Sequence, residues 1–172
     1  MLELWQLILS YLVVVLGFVA GIIIRKKTGA EVEQGKKFIL LGLKIIFILL
    51  MIFILVGIKN GLIMFILGIL LGLILSYFLK YLIIYLGILV IGFSNDKLFL
   101  LLNSIIFIAI LIYGSLFKFN KKRFYLNIAL SLLPLILFLI LNISINEEYN
   151  NLLSGIGLGA LLIAVYKIER YI

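Results

Sequence analysis

The sequence predicts an all-α integral membrane protein, with residues 1–172 forming a single polytopic domain of seven short transmembrane helices. Of its 172 residues, 66% are hydrophobic and the mean hydropathy is +1.40, whereas a soluble domain is about half apolar. The apolar residues also fall into runs of about 20, the length that crosses a bilayer as a helix. Strict apolar–polar alternation, which is typical of barrel strands, does not occur.

Short polar breaks divide the chain into its predicted spans. The apolar stretch from 62 to 93 would reach roughly 48 Å as one helix, against a hydrocarbon core of about 30 Å. We therefore expect it to turn at Lys80, either as two short spans or as a re-entrant hairpin. The seven predicted spans are 4–24, 38–58, 61–78, 80–94, 98–117, 124–141 and 152–166.

The lysines and arginines indicate how these spans are oriented, because cytoplasmic loops carry the excess of such residues. With seven spans, one side of the membrane holds only Lys59 and Lys97, and Lys44 lies inside span two. The remaining basic residues share the other side, whereas six spans would divide them almost evenly. We predict an N-terminus outside and a C-terminus in the cytoplasm. The abundance of Ile, Lys, Asn, Phe and Tyr suggests an AT-rich prokaryotic or archaeal genome, so we expect the cell membrane of such an organism as the location.

Composition argues against most catalytic chemistry. The chain has no cysteine and no histidine, which removes thiol nucleophiles and the commonest general base and transition-metal ligand. None of the seven acidic residues falls inside a predicted span, although membrane hydrolases and proton pumps need such groups. We expect no enzymatic activity, no metal and no cofactor. The net charge of +8 favours anionic lipid headgroups at the loops as partners, not nucleic acid.

Two pairs of segments suggest an internal repeat. Residues 68–80 match 155–167, and the segment from Leu7 matches the segment from Leu101, with Ser10 opposite Ser104. The match predicts a three-plus-one-plus-three plan with parallel halves 1–80 and 98–172 and a linker span 81–97. Chance similarity among Leu, Ile and Gly is the alternative.

This outline resembles the sugar facilitators of the SWEET type. Their paired Pro-Gln-like signatures are missing here, so the resemblance assigns no role to any residue. Repeat symmetry is common in transporters, whose substrate sites lie at the repeat interface near the bilayer midplane. The repeat therefore favours a transport function.

Glycines mark the faces that we expect to pack tightly. Small residues four apart flatten one side of a helix and let another backbone approach, either inside the bundle or between subunits. Pro134, the only proline, predicts a kink in span six. The predicted helix-packing glycines are Gly17, Gly21, Gly68, Gly72, Gly155 and Gly159.

Polar side chains inside the spans are the candidate lining of a substrate path. Buried amides and hydroxyls either bridge helices or line a polar cavity. If span five packs on span one, Asn103, Ser10 and Gln6 converge towards the outer side. Lys44 either snorkels to the headgroups or faces a substrate. The candidate substrate-lining residues are Gln6, Ser10, Lys44, Asn103, Ser104, Asn127 and Ser131.

Two interfacial features complete the prediction. In the stretch RKKTGAEVEQGKK, Thr28 and Glu31 have the spacing of a capping box and Gly35 the place of a helix end, which predicts a short interfacial helix. Trp5 and Tyr11 are assigned to an aromatic belt at the outer interface.

Two functions remain as alternatives. One is a passive facilitator for a small solute or ion, with its site between helical repeats. The other is a non-catalytic structural or accessory subunit of a larger membrane complex or homo-oligomer, which docks through its glycine faces. A facilitator requires a polar cavity that reaches Asn103 and Asn127, whereas a subunit requires a solid interior and an exposed face of small residues.

Overall fold

The fold is built from helices alone within the part of the chain that our computed structural model describes, residues 4–58, 61–79, 81–93, 99–117, 120–140 and 147–168. These residues form eight helices and no strand, as the sequence predicts. The helices are α1 (Leu4–Lys27), α2 (Gly29–Gln34), α3 (Lys36–Gly57), α4 (Leu62–Phe78), α5 (Leu82–Gly92), α6 (Phe99–Leu116), α7 (Lys121–Ile140) and α8 (Glu147–Lys167).

Each predicted span corresponds to one helix, and several helices fit a membrane location. Four of them, α1, α3, α6 and α8, are long and apolar enough to cross a bilayer. The helices α4 and α5 are apolar but shorter, with 17 and 11 residues. The predicted breaks at 59–60, 80 and 94–97 lie outside the described residues.

The short helix predicted after Thr28 is present, but its predicted capping box is wrong. Helix α2 ends at Gly35, whose amide donates to the carbonyl of Glu31 over 2.8 Å. The hydroxyl of Thr28 makes no bond to α2 and instead donates to the carbonyl of Ile24 over 2.9 Å. Threonine in a last helical turn makes this backward bond readily, so its side chain completes α1.

The contact between α4 and α8 is the most extensive helix pairing in the bundle. A Cβ on Gly68 would lie 3.0 Å from the Cα of Gly155, and a Cβ on any of the four glycines Gly68, Gly72, Gly155 and Gly159 would clash with a main-chain carbonyl of the partner helix. Contacts advance in the same direction along both chains, so the two helices are parallel. Only glycine permits this backbone-to-backbone approach.

Helices α1 and α6 form a second parallel pair. A Cβ on Gly114 would lie 2.6 Å from the carbonyl oxygen of Phe18, and one on Gly21 would lie 2.9 Å from the Cα of Gly114. One turn earlier, Gly17 faces the ring of Phe107, 2.9 Å from the position of its missing Cβ. The same two backbones therefore meet over at least two turns.

Helix α5 occupies the centre of the bundle. Ten of its residues are buried, and it packs on α1, α6, α7 and α8. It runs antiparallel to α8, because Gly92 faces Ser154 whereas Leu89 faces Gly157. The core therefore surrounds the shortest of the apolar helices.

An aromatic cluster joins α1, α6 and the start of α7. The ring of Phe18 lies 6.0 Å from that of Tyr113, 5.5 Å from Phe117 and 6.4 Å from Phe124, measured between centroids. Since α7 begins where α6 ends, it runs antiparallel to α6 and hence to α1. We call this the basic end of the bundle, because Arg25 and Lys121 lie there.

Candidate functional site

The structure places the predicted lining residues in different environments. Ser10, Asn127 and Ser131 are buried, whereas Gln6, Lys44 and Asn103 are partly buried and Ser104 is exposed. The hydroxyl of Ser104 donates to the carbonyl of Leu100 in its own helix over 2.9 Å. Ser104 therefore lies apart from the buried polar side chains.

The packing of α1 on α6 sets Ser10 level with Asn103. In this contact Gly21 lies beside Gly114, and Ser10 and Asn103 each lie eleven residues earlier on their helices. The sequence match had aligned Ser10 with Ser104, one residue away. With this shift of one residue, Asn103 and not Ser104 lies at the same depth as Ser10.

Lys44 lies on α3, which packs mainly on α6 and α8. Its neighbours in sequence, Leu43 and Phe47, are fully buried, so the lysine stands at the flank of the buried face of α3.

Four buried polar atoms find no hydrogen-bond partner among the described residues: the hydroxyl of Tyr11 and the Oδ1 atoms of Asn103, Asn127 and Asn150. They lie on α1, α6, α7 and α8, the four helices that pack around α5. A buried polar group without a partner costs about 1–3 kcal/mol. Buried polar groups of native proteins usually meet a protein partner or ordered water, so each of these four atoms is a candidate contact for water or a polar ligand.

Tyr11 was assigned to the outer aromatic belt, and that assignment is wrong. Trp5 is 54% exposed and fits such a belt, but Tyr11 is 0% exposed and belongs to the core. Its ring reaches α5, where a Cβ on Gly87 would lie 2.8 Å from its Cζ atom. Glycine at position 87 thus makes room for the phenol between α1 and α5.

The buried face of α7 carries two polar residues and a proline. Asn127, Ser131 and Pro134 are spaced by four and three residues and so share one side of the helix, and all three are buried. Asn127 and Ser131 are only 2% and 1% exposed. Helix α7 packs on α5 and α1, so this face is directed into the bundle.

Local bonds on α7 engage one amide proton of Asn127 and the hydroxyl proton of Ser131, while oxygen acceptors of both side chains remain open. The amide of Asn127 donates to the carbonyl of Arg123 over 2.8 Å, and its Oδ1 is left without a partner. Ser131 donates to the carbonyl of Ile128 over 2.7 Å, which leaves its oxygen free to accept.

Pro134 adds a third oxygen to this face. Because proline has no N–H, the carbonyl of Leu130 lacks the donor that a regular helix supplies four residues on. We call the Asn127 Oδ1, the Ser131 Oγ and the Leu130 carbonyl oxygen the α7 oxygen row.

The aromatic cluster fixes the depth of the α7 oxygen row. The rings of Phe18 and Phe124 stack at 6.4 Å. Tyr11 lies seven residues from Phe18 and Ser131 seven from Phe124, which is about 10 Å of helix in each case. Since α1 and α7 are antiparallel, both residues lie on the same side of the cluster. Tyr11 and Ser131 are therefore nearly level, well away from the basic end.

Sequence reasoning missed Tyr11, Gly87 and Asn150. Asn150 had been read as part of an outer loop, but it lies in the first turns of α8. Gly87 did carry a signal, because it is an isolated glycine in the middle of a short apolar run.

Comparison with protein-family models, curated proteins and solved structures finds no match for this chain.

Proposed function

We propose that the protein is a passive facilitator for a small solute or ion, with a path that runs beside α5. The observation that carries this proposal is the set of four unpartnered polar atoms on the four helices around α5. A bundle selected only for solidity gains stability when such groups are replaced by apolar ones. A path needs them, because they replace part of the water around a solute as it crosses.

The length of α5 supports the same proposal. Its 11 residues extend about 16 Å, roughly half of a hydrocarbon core of about 30 Å. Irregular backbone at membrane depth is tolerated only inside protein or along a water-filled cavity. If water-filled cavities reach both ends of α5, a solute has to cross only the short protein layer beside α5.

The proposal includes the seven-span topology with the N-terminus outside. Seven alternating spans require α1 to be parallel to α6, α4 to be parallel to α8, and α5 to be antiparallel to α8. The glycine contacts have these directions. A six-span chain, with α4 and α5 merged into one span, would instead make α1 and α6 antiparallel.

The proposed repeat is limited by the same contacts. The predicted repeat partners pack on each other, α1 on α6 and α4 on α8. A parallel repeat has one symmetry axis, and that axis passes midway between each helix and its repeat partner. Because the α1–α6 pair and the α4–α8 pair are both in close contact, the axis would have to pass through both contacts at the same depth, which two separate pairs do not allow. The path is therefore proposed beside α5 and not along an axis between two halves.

The alternative function, a docking subunit, loses its main argument. It relied on glycine faces that are free to contact another protein. The glycines of α4 and α8 contact each other, and Gly21 and Gly114 do so between α1 and α6.

Cysteine labelling tests the topology, because the natural chain has no cysteine. A Lys80→Cys variant should react with a membrane-impermeant maleimide from the cytoplasmic side, as should the control Asn120→Cys. An Asn60→Cys variant should react only from outside. A residue 80 that is shielded from both sides indicates a re-entrant hairpin instead.

Flux into proteoliposomes tests the function. Vesicles that contain the protein should swell faster in water, urea or glycerol gradients, or pass K⁺ or Na⁺ faster, than vesicles without it. Asn103→Leu should lower the flux, whereas Ser104→Ala should leave it unchanged because that hydroxyl is exposed and bonded within its own helix. Equal flux with and without protein for every probe would overturn the proposal.

A further inference from the structure

We infer that the α7 oxygen row is a binding site for a partly dehydrated monovalent cation. This inference names the substrate class of the proposed path and so rests on the proposed function. It is carried by the bonding pattern of Asn127 and Ser131 together with the carbonyl that Pro134 releases.

The row holds more acceptors than donors. The hydroxyl proton of Ser131 and one of the two amide protons of Asn127 are engaged by carbonyls of their own helix, and proline removes a backbone donor. An anion would meet three oxygens with lone pairs and a single remaining N–H. A cation gains from each of these oxygens, because carbonyl, amide and hydroxyl oxygens are the atoms that replace the hydration shell of K⁺ and Na⁺ in proteins.

The absence of acidic side chains from the helices near the row selects the valence of the cation. No aspartate or glutamate occurs in the sequence of α5, α6 or α7, whereas sites for Ca²⁺ and Mg²⁺ rely on carboxylates. Without such a group a divalent ion would remain hydrated. A monovalent ion loses less hydration energy and is served by neutral oxygens.

The position of the row suits a step along a path and not a surface contact. Asn127 and Ser131 are 2% and 1% exposed, and the row lies near the level of the buried Tyr11 hydroxyl. That hydroxyl has no partner among the described residues and lies against Gly87 of α5, at about the same depth as Ser131. Lys121 and Arg123 lie nearer the basic end and are exposed, so a cation meets its lower electrostatic barrier from the opposite end.

Cation-dependent stability tests the binding site. Purified full-length protein is heated in detergent in KCl, NaCl or choline chloride at equal ionic strength. Binding to the folded state lowers the unfolding constant about 100-fold when the ion is present at about 100 times its Kd. We expect K⁺ or Na⁺ to raise the Tm above its value in choline, and Asn127→Leu to abolish the rise. Asn127→Asp should enlarge the rise by adding a carboxylate.

Two further variants keep the test decisive if Asn127→Leu does not fold. Ser131→Ala removes one oxygen with little change in volume. It should raise the Kd for the cation about tenfold, the effect of one bond to a charged group, and so reduce the cation-dependent rise in Tm. Ser104→Ala should behave as the natural protein. Equal Tm values in all three salts, or a rise that survives in both Asn127→Leu and Ser131→Ala, would overturn the inference.

Flux separates this inference from the proposed function. Passage of K⁺ or Na⁺ that falls in Ser131→Ala supports both. Passage of urea or glycerol without cation flux and without a cation effect on Tm overturns the inference and keeps the facilitator. A cation effect on Tm without flux of any solute leaves a structural cation site and overturns the facilitator.

Discussion

Helices α4 and α5 follow each other in the chain and are equally apolar, yet they lie in opposite environments. Helix α4 buries only Phe65, Gly68, Gly72 and Ser76, while α5 buries ten of its 11 residues. Most large side chains of α4 are exposed, and its one extensive contact is with α8. Hydropathy alone therefore does not tell a lipid-facing helix from a central one.

The difference follows from the solvent. Lipid chains are as apolar as leucine, so an apolar face gains nothing by leaving them, and helix association depends on close packing and polar contacts. The glycines of α4 concentrate that packing on one side. Helix α5 has neighbours on all sides, including the phenol of Tyr11 against Gly87.

The largest expected effect comes from breaking the single contact of α4. In Gly72→Leu the new side chain would meet the backbone of α8, where a Cβ would lie 2.9 Å from the Cα of Ile156. We expect a loss of about 3 kcal/mol in the free energy of unfolding, because a backbone cannot move aside as a side chain can. Steric-trap or denaturant unfolding in bicelles measures it.

Gly42→Leu is the matched control for this substitution, because a Cβ at Gly42 meets nothing within 4 Å. It should be neutral or slightly stabilising, since leucine has the better helix propensity. If the two variants are equally stable, the α4–α8 contact does not hold α4 in place.

The next effect concerns the central helix. In Gly87→Ala the added methyl would clash with the hydroxyl of Tyr11 and lie 2.8 Å from its Cζ. We expect a loss of about 1–3 kcal/mol, the usual cost of overpacking. Tyr11→Phe alone should be nearly neutral, because it removes a buried hydroxyl that has no partner among the described residues.

A double-mutant cycle isolates this contact. Combined with Gly87→Ala, Tyr11→Phe should restore part of the lost stability, since it removes the nearest atom but leaves the ring. Strict additivity of the two changes would show that the phenol and α5 are not coupled.

Much of the helix pattern was predictable, and the arrangement was not. Apolar runs and their polar breaks predicted the seven longer helices, and the spacing of Thr28, Glu31 and Gly35 predicted α2. The hydroxyl of Thr28 could either accept from a backbone amide of α2 or donate to the carbonyl of Ile24. The spacing of the sequence does not decide between these two partners. Tyr11 was misplaced because tyrosine near a helix end is typical of an interface, and only its neighbour Gly87 marks it as internal.

The candidate site shows the same limit. Asn103, Asn127 and Ser131 stood out as polar residues in apolar spans. Which of their atoms remain without partners depends on side-chain rotamers and on packing between helices distant in sequence, which the local pattern of each span does not encode.

A smaller effect on stability, with a larger one on flux, is expected at the helix that flanks α5. Pro134→Ala restores an N–H to the carbonyl of Leu130 and would remove the kink that the proline is expected to impose on α7. We expect a change of about 1 kcal/mol or less in stability, since the regained hydrogen bond offsets packing that suits the proline. Cation flux should fall, because one oxygen of the α7 oxygen row is then occupied.

Ser104→Ala serves as the reference for that flux measurement. Flux that is unchanged or raised in Pro134→Ala, with the protein still folded, would show that the Leu130 carbonyl does not contact the solute.

The smallest effect is expected outside the apolar bundle, at α2. The side chains of Arg25 and Glu33 form an ion pair that links α2 to the end of α1, while Val32 anchors α2 in the core. The Glu33 side chain is 47% exposed, and exposed ion pairs contribute about 0–1 kcal/mol. Glu33→Gln should therefore lower the free energy of unfolding by less than about 1 kcal/mol, and by less still in high salt.

Glu31→Gln on the same helix is the control. A loss as large as that of Val32→Ala would mean that the ion pair, and not burial of Val32, holds α2 against the bundle.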